Sequence, residues 1–286
     1  MTVRRRVWAS AAIVGALGLA TGAAVVFGWM VDETHFDRPD AEFTRVAAHL
    51  DALPGADVTS SERWVEAPIF ADPSARIEMT VDPSHVEGFL DAACAIEYTG
   101  PVAWSVRVPT SAGQVVSMHS WPMTPGTARG ADCLGFGFDA TALVAEVDRL
   151  ELGIDLQPTT WDNGGFALVA LGEDGADLRD ALPLLAHAVR IHESAGVDPN
   201  DPVEIDSASL GVTFDPEYHN RYVRLLTELA DQHAVTSFWG AGRTEAGEPV
   251  QIVAPEAQHT AIEAAIRTSG LPVADAPVRF IRQNAD

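Results

Sequence analysis

The stretches "TVDPSH" at residues 80–85 and "TFDPEYH" at residues 213–219 share an Asp-Pro pair followed by a histidine. An Asp-Pro pair after a strand is typical of a helix start, because the carboxylate accepts hydrogen bonds from free backbone N–H groups and Pro needs no donor there. Aligned without gaps, His85 falls opposite Tyr218, so the two imidazoles would lie about 100° apart around their helices. The repeat therefore predicts shared architecture and not a duplicated active site.

The sequence around each stretch extends this repeat. Apolar alternation and helical spacing predict the order β-α-β-β-α-β from about residue 207 to residue 281. A looser copy with insertions runs from about residue 75 to residue 171. We predict two ferredoxin-like α+β units packed together, since each presents a sheet face that another layer must cover. A ferredoxin-like fold serves many functions, so it indicates none by itself.

The N-terminus predicts a membrane anchor. Residues 7–31 carry no charge, and as a helix they would be about 37 Å long, which exceeds a hydrocarbon core of about 30 Å. Trp8 and Trp29 lie near the two ends, where amphipathic rings favour the interface. The Arg residues at 4–6 predict a cytoplasmic N-terminus, a single pass through the plasma membrane and an extracytoplasmic remainder. A cleaved signal peptide is the alternative.

The lipid bilayer is thus a predicted partner, and the chain divides accordingly. The predicted segments are a cytoplasmic end at 1–6, a transmembrane anchor at 7–31, a linker at 32–40, a first α+β unit at 41–171, a helical connector with an acidic loop at 172–206, and a second α+β unit at 207–286.

Composition and charge limit the chemistry. The chain is 47% hydrophobic and 21% charged, which is typical of a folded protein. Every basic residue is Arg, so lysine Schiff bases, lysine nucleophiles and a phosphate-loop lysine are excluded. The formal net charge of −23 predicts a surface that repels nucleic acid and anionic lipid headgroups. We therefore expect no nucleic-acid partner.

The chain has two cysteines, Cys94 and Cys133. In an oxidising compartment they can form a disulfide that closes a loop of about 40 residues and stabilises the fold by a few kcal/mol. Two buried free thiols are the alternative. Neither cysteine belongs to a CxxC pair, so a thioredoxin-like or zinc-ribbon site is not predicted.

Histidines supply the candidate catalytic groups. His119 lies on a predicted strand and could join Asp82 and His85 in an acid–base or metal site if the fold brought them together. His187 and His192 share a predicted helix, but their spacing is not that of an HExxH motif. We expect both to be partly exposed helix residues.

Two acidic stretches are candidates for calcium binding, because hard carboxylate oxygens can hold Ca²⁺ in an exported loop. Neither matches the DxDxDG loop. The residues concerned are Asp198, Asn200, Asp201, Glu204 and Asp206 in the first stretch, and Glu173, Asp174 and Asp177 in the second.

Five tryptophans lie on or beside predicted strands. Core packing is their first explanation, and an aromatic face that binds sugar or peptide is the alternative. They are Trp64, Trp104, Trp121, Trp161 and Trp239.

The sequence carries no GxSxG, GxGxxG or phosphate-loop motif, and no cofactor is predicted. The functional prediction is a membrane-anchored extracytoplasmic protein that binds an envelope protein or ligand, or scaffolds at the cell envelope, without catalysis. One alternative is an envelope hydrolase that uses His119, His85 and nearby acids. The other alternative is a calcium-stabilised surface module.

Overall fold

The computed structural model describes residues 35–66, 72–121, 134–161, 164–171, 177–241 and 249–281. Within them the helices are α1 (Ala41–Asp51), α2 (Val86–Cys94), α3 (Ala140–Leu150), α4 (Leu178–Ser194), α5 (His219–His233) and α6 (His259–Thr268). The strands are β1 (His35–Asp37), β2 (Ala56–Glu66), β3 (Ser74–Val81), β4 (Ala103–Pro109), β5 (Val115–His119), β6 (Asp155–Thr160), β7 (Phe166–Leu171), β8 (Val203–Asp206), β9 (Leu210–Phe214), β10 (Ser237–Ala241), β11 (Val250–Val253) and β12 (Val278–Phe280).

All twelve strands belong to one mixed sheet, and their order in the sheet is their order in the chain. From β2 onward the chain alternates between two connections. An antiparallel strand pair follows a direct link, as between β6 and β7. A parallel pair follows a helix, as between β5 and β6, which are connected through α3. The fold is therefore a row of strand–strand–helix units.

The helices cover one face of this sheet. Along β3 the residues alternate between buried and more exposed, as a strand with one covered face requires. Residues that pair on neighbouring strands face the same side of the sheet. Buried Ile77 pairs with buried Trp104, and buried Val106 pairs with buried Met118. The buried faces of the helices join these strand residues in one hydrophobic core, and α3, α4, α5 and α6 contact one another in sequence. The other face of the sheet has no helix packed on it in the described part of the chain.

This architecture corrects the predicted fold class. A ferredoxin-like unit interleaves its strands, so that a β-α-β connection skips one strand. Here each helix from α2 to α6 connects neighbouring parallel strands, and one continuous sheet runs through both predicted units. The described part of the segment 172–206 contains α4 and the internal strand β8. The spacing of hydrophobic residues along the sequence predicts whether a segment is a helix or a strand. It does not predict which strands are neighbours in the sheet.

The predicted membrane anchor, and the bilayer contact and extracytoplasmic location that followed from it, are also corrected. No helix among the described residues is long and apolar enough to cross a membrane. Residues 7–31, on which that prediction rested, lie outside the described residues.

The repeated Asp-Pro pairs occupy equivalent places. Each begins a turn of 3-10 helix, Pro83–His85 or Pro216–Tyr218, between a strand and a helix. In neither turn does the Asp side chain accept a capping hydrogen bond. The Asp carbonyl oxygens accept instead, from His85 N and Tyr218 N, both at 2.9 Å. The stretch thus predicts the strand-to-helix step correctly and the role of the carboxylate incorrectly.

The predicted disulfide remains a prediction. Cys94 is the last residue of α2, and Cys133 lies outside the described residues. Only Cys94 is among the described residues, so the pairing with Cys133 stays a prediction.

Candidate functional site

The uncovered face of the sheet carries the polar side chains of the strands and two exposed tryptophans. Among the described residues the exposed large hydrophobic side chains are Phe36 (41%), Trp121 (72%) and Trp161 (43%). Trp121 and Trp161 follow the ends of β5 and β6. Exposed aromatic side chains grouped with polar ones mark binding surfaces more often than isolated exposed residues do.

The sheet register places these two tryptophans side by side. β5 and β6 are parallel, and Val116 pairs with Leu156. Continued along both strands, that register sets His119 beside Thr159 and Trp121 beside Trp161. All four side chains point away from the helices, because residues two apart on a strand share a face. Neighbouring strands are about 4.8 Å apart, so the backbones of the two tryptophans lie on adjacent strands of one surface.

A pocket of about 610 Å³ lies at this place. Its polar groups come from both strands, and its apolar groups come from the tryptophans and from the segment before α3. The described residues that line it are His119, Ser120, Trp121, Gly135, Phe136, Gly137, Gln157, Thr159, Thr160 and Trp161.

Trp161 is held in place by its neighbours. Its backbone N–H donates to Gly165 O at 2.8 Å, and its carbonyl accepts from Gly164 N at 2.8 Å, which closes a tight turn. Its indole Nε1–H donates to Glu204 Oε2 at 3.1 Å. Because Glu204 is on β8, the indole has to cross β7 to reach it, and Ala167 of β7, which pairs with Glu204, is fully buried. The indole therefore lies over the sheet as one wall of the pocket.

The other walls are fixed by backbone contacts. Ser120 N donates to Trp104 O at 2.9 Å, and Ser120 Oγ accepts from Trp104 N at 3.0 Å, so the chain stays against β4 up to Trp121. Gly137 has φ +84°, and a Cβ there would lie 2.5 Å from Thr160 Oγ1. Only glycine fits this close approach.

The electrostatics of the pocket depend on His119, and Glu204 adjoins the pocket through the indole of Trp161. Part of the His119 ring is exposed, and the atoms around the rest desolvate it. This desolvation lowers the pKa of His119, the charge of Arg76 lowers it further, and Glu78 opposes both. The imidazole is therefore neutral at pH 7. It is the only titratable side chain among the described residues that line the pocket.

Thr160 adds a buried hydroxyl. Its Oγ1 is inaccessible to solvent and has no hydrogen-bond partner within the described ranges. A buried hydroxyl without a partner costs free energy, and because this oxygen is closed to solvent it offers no contact to a ligand.

The predicted hydrolase site does not form. His85 Nδ1 lies 3.8 Å from Asp82 Oδ2, and both side chains are largely exposed beyond the end of β3. His119 is at the end of β5, which runs opposite to β3, and it is level with Glu78 through Ser105. Asp82 is four residues farther along β3, or about 13 Å. His119 is therefore too far from Asp82 and His85 for the three side chains to form one site.

The calcium sites are also not supported. Asp198 Oδ1 accepts from Asn200 N and Asn200 Nδ2, both at 2.9 Å, while Glu204 bonds to Trp161 on the sheet. Asp177 caps α4, and Glu173 and Asp174 lie outside the described residues. Within the described ranges, no group of three His, Cys, Asp or Glu side chains is suited to a metal ion.

His192 differs from its prediction as a partly exposed residue. It is fully buried in the last turn of α4, and its ring meets Phe166 edge-on with centroids 5.7 Å apart. Neither ring nitrogen has a hydrogen-bond partner in the described part of the chain. His187 on the same helix is partly exposed, as expected.

Sequence reasoning named Trp121, Trp161 and His119 but did not group them. The signal was the similarity of "SMHSW" at residues 117–121 and "QPTTW" at residues 157–161, which both end a strand with Trp. It becomes informative only when the two strands are known to be parallel neighbours.

Comparisons with known proteins give one partial similarity. No family model and no solved structure matches the chain. A curated relative, the methylenetetrahydrofolate–tRNA-(uracil-5-)-methyltransferase TrmFO of Novosphingobium aromaticivorans, is 34% identical over 134 residues. These residues are 46% of this chain, and the match spans 25% of that protein.

This similarity corrects two predictions. The relative is named as an enzyme, which stands against a purely non-catalytic role at the cell envelope. Its named substrate is a tRNA, which stands against the exclusion of nucleic acid as a partner. The negative charge of the chain was the basis for that exclusion, and charge governs long-range attraction without deciding which rings a pocket accepts.

Proposed function

We propose that the pocket between Trp121 and Trp161 recognises a planar nitrogen heterocycle, as the ring of a substrate or cofactor in an enzymatic role. The observation that carries the proposal is that two exposed tryptophans, placed on neighbouring strands by the parallel register of β5 and β6, line one pocket. Nitrogen heterocycles stack on aromatic side chains, and each such contact contributes about 1–3 kcal/mol to binding a base.

The polar lining supports the same ligand class. Gln157 offers a carbonyl acceptor and an amide donor on one side chain, which matches the neighbouring C=O and N–H of a lactam edge. Thr159 adds a hydroxyl group. Uracil and the pterin ring of a folate both present such an edge. Both compounds appear in the name of the curated relative.

His119 provides a proton acceptor next to the ring. Its neutral imidazole has a free lone pair at pH 7, which is what a general base requires. In the proposed role His119 accepts a proton from the bound ring or from a group attached to it. Methyl transfer to tRNA is not carried over, because the match spans a quarter of the relative.

The test is calorimetric titration of the full-length chain with uridine, 5-formyltetrahydrofolate and nicotinamide, with ribose as the control without an aromatic ring. At least one ring compound is expected to bind, and Trp121→Ala is expected to weaken it about ten-fold. Trp239→Phe, on the same face but outside the pocket lining, is the matched control and leaves the affinity unchanged. The proposal fails if no ring compound binds, or if Trp121→Ala binds as well as the wild type.

A further inference from the structure

The Trp161 indole, which forms one wall of the pocket, is hydrogen-bonded to a carboxylate. Its indole N–H donates to the Glu204 carboxylate at 3.1 Å. Hydrogen bonds to an ionised acceptor are stronger than neutral ones, and this one fixes the plane of the ring. A carboxylate at the N–H edge adds negative potential to an indole whose face is already the negative part of its quadrupole.

We infer that the ring recognised by this pocket is a cationic one, that is, an N-alkylated or otherwise positively charged nitrogen heterocycle. The inference rests on the proposed ring site and narrows its ligand class. A cation over the face of Trp is attracted electrostatically, and Trp is the most favourable aromatic side chain for this contact. A neutral ring gains the stacking contact alone.

The described residues that line the pocket give Glu204 no basic partner, because no Arg is among them and the chain has no Lys. Glu204 forms no ion pair with an Arg within the described ranges. Two Arg residues lie on neighbouring strands: Arg107 of β4 pairs in the register with Ser117 of β5, and Arg76 of β3 forms an ion pair with Glu78 at 3.6 Å. The carboxylate is therefore available to complement a positive ligand.

The other charges near the pocket act in both directions. His119 is neutral at pH 7, because desolvation and Arg76 lower its pKa, so it does not repel a cation. Arg76 itself opposes a cation, and its ion-pair partner Glu78 offsets that charge. The formal net charge of −23 attracts cations and disfavours anionic ligands over distances of about 10 Å at ordinary salt. An anionic ring compound would meet an unfavourable field and no basic residue among the described lining.

The test uses two rings that differ by one methyl group and one charge, 1-methylnicotinamide and neutral nicotinamide. Both are titrated into the full-length protein at pH 7.5 and at low salt. We expect 1-methylnicotinamide to bind at least about five-fold more tightly. Tetramethylammonium, which has the charge without the ring, is expected to bind more weakly than 1-methylnicotinamide.

Glu204→Gln is the diagnostic variant, because the amide keeps a hydrogen-bond acceptor for Trp161 and removes the charge. It is expected to bring the affinity ratio of the two rings close to one while nicotinamide binding is retained. Circular dichroism and the thermal midpoint verify that the variant is folded, and Trp239→Phe is the control that keeps the wild-type ratio. Equal affinity for the two rings in the wild type, or an unchanged ratio in Glu204→Gln, overturns the inference and leaves the ring site standing. If neither nicotinamide nor its cation binds, and uridine and 5-formyltetrahydrofolate also fail, the ring site itself is refuted together with the inference.

Discussion

His192 is expected to make the stability of the fold depend on pH. The side chain is fully buried, and its ring nitrogens have no hydrogen-bond partner in the described part of the chain. Burial lowers the pKa of His192, against the opposing charges of Asp201, Glu193 and Asp198. The folded protein therefore holds a neutral imidazole at pH values where the unfolded chain binds a proton.

The direction in which stability changes with pH follows from proton binding by the folded and unfolded chains. As the pH falls below about 6.5, the unfolded chain takes up a proton at this residue that the folded chain does not. The free energy of unfolding then decreases by at most about 1.4 kcal/mol per pH unit, until the pH reaches the lowered pKa of the folded state. Above pH 7 the contribution is constant.

The variant His192→Met removes both the proton site and the unpaired nitrogens. Methionine is similar in volume, adapts to irregular gaps and makes favourable contacts between sulfur and an aromatic ring, here Phe166. At pH 7.5 we expect the free energy of unfolding to rise by about 1–2 kcal/mol, because a buried polar group without a partner is removed. Between pH 5 and 6.5 the slope of stability against pH is expected to flatten by up to one proton.

Urea denaturation followed by circular dichroism, at half-unit steps from pH 5 to pH 8, measures both effects. His187→Met on the same helix is the matched control, and its change at pH 7.5 should stay within about 0.5 kcal/mol because His187 is partly exposed. A loss of more than about 1 kcal/mol in His192→Met, or a pH slope equal to that of the wild type, would refute the reasoning.

Two further substitutions test the local structure. Gly137→Ala places a methyl group 2.5 Å from Thr160 Oγ1 at a positive φ, and we expect it to lower the free energy of unfolding by about 1–3 kcal/mol in a urea titration; a neutral result would contradict this close approach. Asp177→Ala removes a capping box in which the side chain accepts from the start of α4 and Asp180 accepts from Asp177 N at 2.9 Å. A loss of about 1 kcal/mol is expected, while Asp177→Asn should retain most of the cap; equal stability of the two variants would show that the cap contributes nothing.

The sequence predicts the elements of this fold better than their arrangement. "LQPTTW", "DNGG" and "FALVAL" predict a hairpin, and β6 and β7 form it with Leu156 opposite Ala170. The order of the strands was wrong because a period of two residues fixes which face is buried and not which strand is the neighbour. The neighbours were determined by tertiary packing of the helices on one face.

A second difference between sequence and structure has a local cause. The stretch "CLGFGF" at residues 133–138 alternates and so predicts a short strand, and Phe136 and Phe138 are indeed buried. The described residues 134–139 form turns and bends, because Gly135 and Gly137 have φ values of +74° and +84°. Alternation thus predicted burial correctly and the backbone conformation incorrectly. The buried position of His192 was missed for a related reason, since one imidazole on an apolar helix face leaves the pattern unchanged.

The candidate site was predictable only in its parts. The sequence offers core packing and a binding face as explanations of the tryptophans. Core packing holds for Trp104, while Trp121 and Trp161 are exposed and enter the proposed ring site. Glu204 was grouped with a calcium loop because its neighbours in the chain are acidic. Its partner Trp161 is distant in sequence, and only the sheet places the two side chains together.

The most direct test of the ring site is a titration that observes the two indoles themselves. In a ¹⁵N spectrum the indole N–H signals of Trp121 and Trp161 are assigned with Trp121→Phe and Trp161→Phe, and 1-methylnicotinamide is then added to the full-length chain. We predict that both assigned signals shift together with one dissociation constant, while the signal of Trp239 stays in place. Binding that leaves the Trp121 and Trp161 signals unmoved, or no binding of any ring compound, would contradict the account.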